Sequence, residues 1–218
     1  MQAICAAVRR KVHIISMSWT IDPPDDENDK RDLEGAILEA AKEDILMFCS
    51  AKDKGAKQTS SFPSLATNKI FKIGAAEASG APDAWVGDLT RIDFTFPGNQ
   101  VELEGLGNDI NKEVVSGSSV ATALAAGLAA LILYCVQVRV RLTQGREREN
   151  AKREFQALKK HDHMMKAFKN IGTTEESKNK YIAVWELFGK LVRESEKCDK
   201  PEWIDLIVKA GTELCVKL

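Results

Sequence analysis

A chain of 218 residues, 44% hydrophobic and 29% charged, is long enough for one substantial core and a small second unit, and its balance agrees with a soluble α/β domain carrying an appendage. The formal charge of −1 gives no electrostatic footing for nucleic acid or an anionic membrane, so neither is expected as a partner. The opening segment M-Q-A-I-C-A-A-V-R-R-K has its positive charges after its apolar residues rather than before them, the wrong order for a signal peptide.

Val12 to Trp19, V-H-I-I-S-M-S-W, reads as a buried β-branched strand ending in serine. The acidic run Asp22 to Asp32 follows. It lacks the glycine and terminal glutamate of an EF-hand loop and reads as a solvated surface loop, with no metal expected. From Asp32 to Asp44 the apolar residues Leu33, Ala36, Ile37, Ala40 and Ala41 are spaced as one helix face, and a parallel-sheet strand over Ile45 to Cys49 comes next. The turn Ser50-Ala51-Lys52-Asp53-Lys54-Gly55 closes that strand. Ser61-Phe62-Pro63-Ser64 leads into a strand over Ile70 to Ala75, and a further strand over Ile92 to Phe96 ends in Pro97-Gly98.

The run from Ser116 to Leu131, S-G-S-S-V-A-T-A-L-A-A-G-L-A-A-L, carries the most chemistry. From Val120 to Val136 only Thr122 and Tyr134 bring a polar side-chain group other than a thiol, and a helix apolar all round is buried all round. Ser119 falls at its N-terminus, where unpaired N–H groups and the positive end of the helix dipole favour developing negative charge. An acyl-transfer nucleophile needs that environment for its oxyanion. Two other readings compete: a buried small-residue helix capped by serine, and a membrane span, for which about 17 apolar residues is the lower limit.

The same segments, in the same order, resemble the subtilisin-like serine proteases. Gly117, Ser119, Ala121, Ala126 and Gly127 stand in register with the nucleophile motif G-T-S-x-A-x-P-x-x-A-G, with Ser118 in place of threonine and Ala123 in place of proline. The strand ending in Ser18 and Trp19 resembles the family's S-M-S-L-G strand, which lines the primary specificity pocket and pairs with the substrate backbone. Ser50 to Gly55 resembles A-A-G-N-x-G, with Asp53 where the family's asparagine amide donates to the oxyanion. A carboxylate can give that hydrogen bond only when protonated, and a turn aspartate before Gly55 is the competing reading. Ser61 to Ser64 and the Pro97-Gly98 turn resemble the family's Y-P-A and A-P-G segments.

The resemblance implies endopeptidase hydrolysis through an acyl-enzyme. Ser119 is then the nucleophile, the Ser119 N–H and Asp53 form the oxyanion hole, and Ser18 with Trp19 lines the cleft for a protein or peptide substrate; no cofactor is implied. In the family the catalytic aspartate and histidine precede the nucleophile, and nothing before Val12 resembles their D-[ST]-G and H-G-T motifs. The catalytic domain is thus expected to be incomplete, a C-terminal portion that packs on a missing upstream segment and leaves a sheet edge open beside Val12 to Ser18; a pseudo-protease or protein-interaction module is the alternative. His13 reads as a strand side chain, and His161 and His163 as part of a lysine-rich solvated helix.

The five cysteines form no C-x-x-C pair and leave one over, which favours free thiols in a reducing, cytoplasmic setting. The expected organisation is a peptidase portion over residues 1–142, a linker over 143–150 where apolar content collapses, and a helical region over 151–218. Helices are expected over Ala151 to Asn170, Lys180 to Glu194 and Pro201 to Leu218, the last opening on a proline suited to a first turn. This tail, with its Y-I-x-V-W-x-x-F helix, resembles those of large intracellular fungal members. The fold expected is α/β, a parallel sheet flanked by helices, followed by an all-helical tail.

Overall fold

A computed structural model describes residues 1–19, 24–53, 67–103, 113–173, 180–196 and 200–215. Ser61 to Ser64, Lys54 and Gly55 lie outside the described residues. The chain divides into two compact units, Met1–Ala126 with Thr174–Tyr181, and Gly127–Thr173 with Ile182–Leu218.

The first unit is built on four parallel strands, β1 (Ile14–Met17), β2 (Leu46–Ser50), β3 (Ile70–Ala76) and β4 (Phe94–Pro97), lying side by side in chain order. The near-continuous apolar runs of β2 and β3 suit strands covered on both faces. One face carries a ladder of rings: Phe48 stacks on its register partner Phe71 at 4.7 Å between centroids, and Phe71 on Phe94 at 6.5 Å. On the other, Met47, Cys49 and Ile70 pack in one cluster with α1 (Gln2–Arg9) and α2 (Glu27–Lys42), through Ile4 and the stripe Leu33, Ala36, Ile37, Ala40 and Ala41.

The helix α2 begins one turn and more before its apolar stripe. Asp26 caps it, its carboxylate accepting from the Asn28 and Asp29 N–H groups at 2.9 and 3.0 Å, and Glu27 and Asp29 place negative charge in the first turn. The C-terminal part of the acidic run is therefore a helix start rather than a loop.

Beyond β4 comes an antiparallel ribbon, β5 (Val101–Leu103) with β6 (Glu113–Val115), and then α3 (Ser118–Leu142). Among the described residues α3 is the helix long and apolar enough to cross a bilayer, and 56% of its most apolar window is buried. It is not buried all round as expected: Ala123, Leu124, Gly127, Leu131 and Tyr134 form an exposed stripe, because one side of the helix alone is covered, at helical spacing.

Lys180 and Tyr181 lie along the outer edge of β4, where the Lys180 carbonyl accepts from the Thr95 N–H at 2.9 Å and the Tyr181 ring rests on Gly80. Residues expected to open a helix at Lys180 thus extend the sheet instead, and the helix α6 starts at Val184 (Val184–Ser195).

In the second unit α4 (Gly145–Leu158) and α5 (His161–Ile171) replace the single helix expected over Ala151 to Asn170, and α7 spans Lys200–Cys215. Only Thr143 and Gln144 stand between α3 and α4, so most of the segment expected as a linker is helical. Its alternating charges serve the solvated face of α4, as in the Lys152–Glu149 pair at 2.7 Å. Arg139 of α3, nearly buried, donates to Glu154 of α4 at 2.5 Å. Gly211 of α7 lets that helix approach α3 so closely that a Cβ there would lie 3.1 Å from the Cys135 carbonyl oxygen.

Candidate active site

Two glycines bring the start of α3 down onto the sheet. A Cβ on Gly98 would lie 2.7 Å from the Ala75 Cβ, and the Gly98 carbonyl accepts from the Gly117 N–H at 2.6 Å. Gly117 has φ +130°, a conformation L side chains rarely adopt, and this reverses the chain into the helix.

The adjacent serines then part company. Ser118 is completely buried. Its hydroxyl accepts from the Ala75 N–H at 2.9 Å and donates to Asp53 Oδ1 at 2.6 Å, while its N–H donates to Asp53 Oδ2 at 2.8 Å. The Ser118 carbonyl accepts from Thr122 Oγ1 at 2.7 Å. Ser119 is exposed, on the first turn of α3, with its carbonyl accepting from Ser18 Oγ at 3.0 Å. Ser119 Oγ and Asp53 Oδ2 flank Gly117, 3.3 and 3.6 Å from where its Cβ would be.

Ser18, Asp53 and Ser119 thus meet at one turn over the C-terminal ends of β1, β2 and β3, where open parallel sheets bind ligands. Trp19 follows Ser18 and is 38% exposed. Asp53 faces Ser118 rather than Ser119 in its hydrogen bonds, and both of its oxygens accept. A carboxylate in that role is an external cap for the first N–H of α3. Sequence reasoning assigned Ser118 no role. Its signal is that threonine and serine, the residues alternating at this motif position, share a hydroxyl able to accept and donate at once.

The histidines stand elsewhere. His13 precedes β1 at the end opposite Ser18, about 16 Å away along an extended strand. His161 and His163 belong to α5, in the second unit. Among the described residues no group of three or more histidine, cysteine or acidic side chains is arranged to hold a metal ion.

A four-stranded parallel sheet flanked by helices, with an exposed serine at the head of a long small-residue helix, defines the class as α/β. The model of the subtilase family matches residues 1–144, and the chain belongs to that family. The subtilisin-like protease het-Q2 of Podospora anserina is 31% identical over 142 residues, which cover 62% of this chain and 37% of that relative. The chain therefore spans well under half of that protein's length. Among solved structures, the prenylagaramide maturation protease PagA superposes with a TM-score of 0.57 at 17% identity, covering 85% of this chain and 64% of that one. A mutant of the protease domain of PatA gives 0.58 at 19% identity over 88% and 64%. These likenesses carry the fold.

Proposed function

We propose that this chain supplies the nucleophile portion of a serine endopeptidase, with Ser119 attacking a peptide carbonyl and the Ser119 N–H, at the positive end of α3, stabilising the oxyanion. The observation that carries this reading is the division of labour between neighbouring serines: Ser118 is consumed by the fold, whereas Ser119 is exposed on the first helical turn. Ser18 holds the Ser119 carbonyl, and with Trp19 it lines the acyl side of a cleft for protein or peptide.

A serine hydroxyl needs a positioned base. In this reading the histidine and its orienting aspartate come from an upstream segment of the longer protein, packed beside β1, the edge strand of the described sheet. Asp53 has a hydrogen for an oxyanion only as a carboxylic acid; as a carboxylate it orients the nucleophile turn through Ser118. The unpaired thiols Cys5, Cys49, Cys135 and Cys215 support a reducing, cytoplasmic setting.

The test is fluorophosphonate labelling of a protein that joins this chain to that upstream segment. Ser119 is expected to label, and Ser119→Ala to abolish the signal; a folded protein that takes up no probe refutes the assignment. A second reading, a pseudo-protease that binds without cleaving, is favoured by the two accepting oxygens of Asp53 beside the site. Full biological activity in Ser119→Ala supports it, and complete loss with retained folding counts against it.

A further inference from the structure

A cavity of about 360 Å³ opens beside the nucleophile turn, walled by Asp53, Asp83, Trp85, Asn99, Ser116 and Gly117. It belongs wholly to the first unit. Its walls are the residues that follow β2, β3, β4 and β6, whereas Ser18 extends β1 at the far edge of the sheet. A peptide chain that passes Ser18 and Ser119 in an extended conformation runs on towards it.

Its chemistry is one-sided. The charged side chains among its described walls are two carboxylates, Asp53 and Asp83, and none is cationic. The Asp83 carboxylate is held in place because its Oδ1 accepts from the Trp85 N–H at 2.8 Å while its own N–H donates to the Ala75 carbonyl at 3.1 Å. That turn presents the Trp85 ring, 66% exposed, on the same cavity. An indole face attracts cations more strongly than any other aromatic surface. Carboxylates and an exposed indole around one space select a long cationic side chain, whose methylenes lie on the ring while its head meets the acids.

We infer that this cavity is a specificity site for a lysine or arginine side chain of the bound peptide, with Asp83 and Trp85 as its specificity-determining residues. The inference rests on the reading of the cleft as a peptide-binding site, but it requires no catalysis and can be tested by binding alone.

The probes are fluorescein-labelled nonapeptides of one background sequence carrying lysine, arginine, glutamine or glutamate at a single scanned position, titrated with the chain by anisotropy. Lysine and arginine peptides are expected to bind about tenfold more tightly than the glutamine peptide, with the gap narrowing as salt rises. Asp83→Asn retains an acceptor for the Trp85 N–H and should reduce the preference, read as the ratio of lysine- to glutamine-peptide affinity, to about twofold. Trp85→Phe, which keeps a ring of weaker cation affinity, should lower arginine-peptide affinity relative to glutamine-peptide affinity. Equal binding of all four peptides, or a preference for glutamate, overturns the cationic site while the peptide cleft stands. No binding of any peptide overturns the cleft reading and the site together.

Discussion

Ser118 and Ser119 differ by one position and by almost everything else. The Ser118 hydroxyl closes a three-way junction in which the Ala75 N–H of β3, Asp53 after β2 and the first residue of α3 are tied through one buried oxygen. Removing it leaves the buried Ala75 N–H without a partner, which costs about 1–3 kcal/mol. Ser119→Ala removes an exposed hydroxyl and should stay within about 0.5 kcal/mol of the parent. Urea unfolding of the two single variants measures both; equal losses would mean that the hydroxyl of Ser118 does not tie β3, Asp53 and α3 together. At this scale the sequence pattern names a candidate serine and is silent about geometry. The motif register singles out Ser119 because only one serine falls on the nucleophile position. That Asp53 bonds to Ser118 is a contact across sixty-five positions, fixed by how β2 and β3 deliver their ends.

Elements follow the same logic with a different failure. Parallel strands and the apolar face of α2 are legible because burial writes a period into the sequence, and both were placed within a few residues. The start of α2 was not, since its first turn is wholly polar: Asp26 to Asp32 carries capping and dipole chemistry rather than periodicity, and a charge run looks the same in a loop. Lys180 and Tyr181 misled for the opposite reason. Their apolar continuation into α6 hides the fact that Tyr181 has a place waiting on Gly80 beside β4, a long-range fit that no local pattern records. The cap is the sharper of the two to test. Asp26→Ala should cost about 1 kcal/mol and Asp26→Asn or Asp26→Ser much less, because the side-chain oxygen rather than the charge meets the Asn28 and Asp29 N–H groups. Thermal midpoints of the three variants decide it, and equal losses for all three would place the effect in charge instead.

On the scale of the whole molecule the two units share one vulnerability, alkali. Burial pushes the Cys49 thiol of the first unit up from 9.0 to about 12, with Lys72 opposing and Asp93 reinforcing. In the second unit Cys215 is likewise pushed from 9.0 to about 12, chiefly by burial and then by Glu154, against the nearby Arg139. The burial of Tyr181 raises its phenol in the same sense. For each group the folded form holds its proton to a higher pH than the unfolded chain does, so the unfolded state is the first to lose protons as pH rises. The stabilisation from the two thiols is therefore complete below about pH 9 and is lost progressively towards pH 12. The thermal midpoint should be level from neutrality to that threshold and fall beyond it, with a shallower fall in Cys49→Ala. The same protonation makes the thiols poor nucleophiles, so iodoacetamide at pH 8 should modify Cys49 and Cys215 far more slowly in the native protein than in urea. Rapid native alkylation of Cys49 would mean that β2 opens easily. The strand carrying Asp53 to the Gly117–Ser119 turn would then lack the rigidity that holding Ser118 requires.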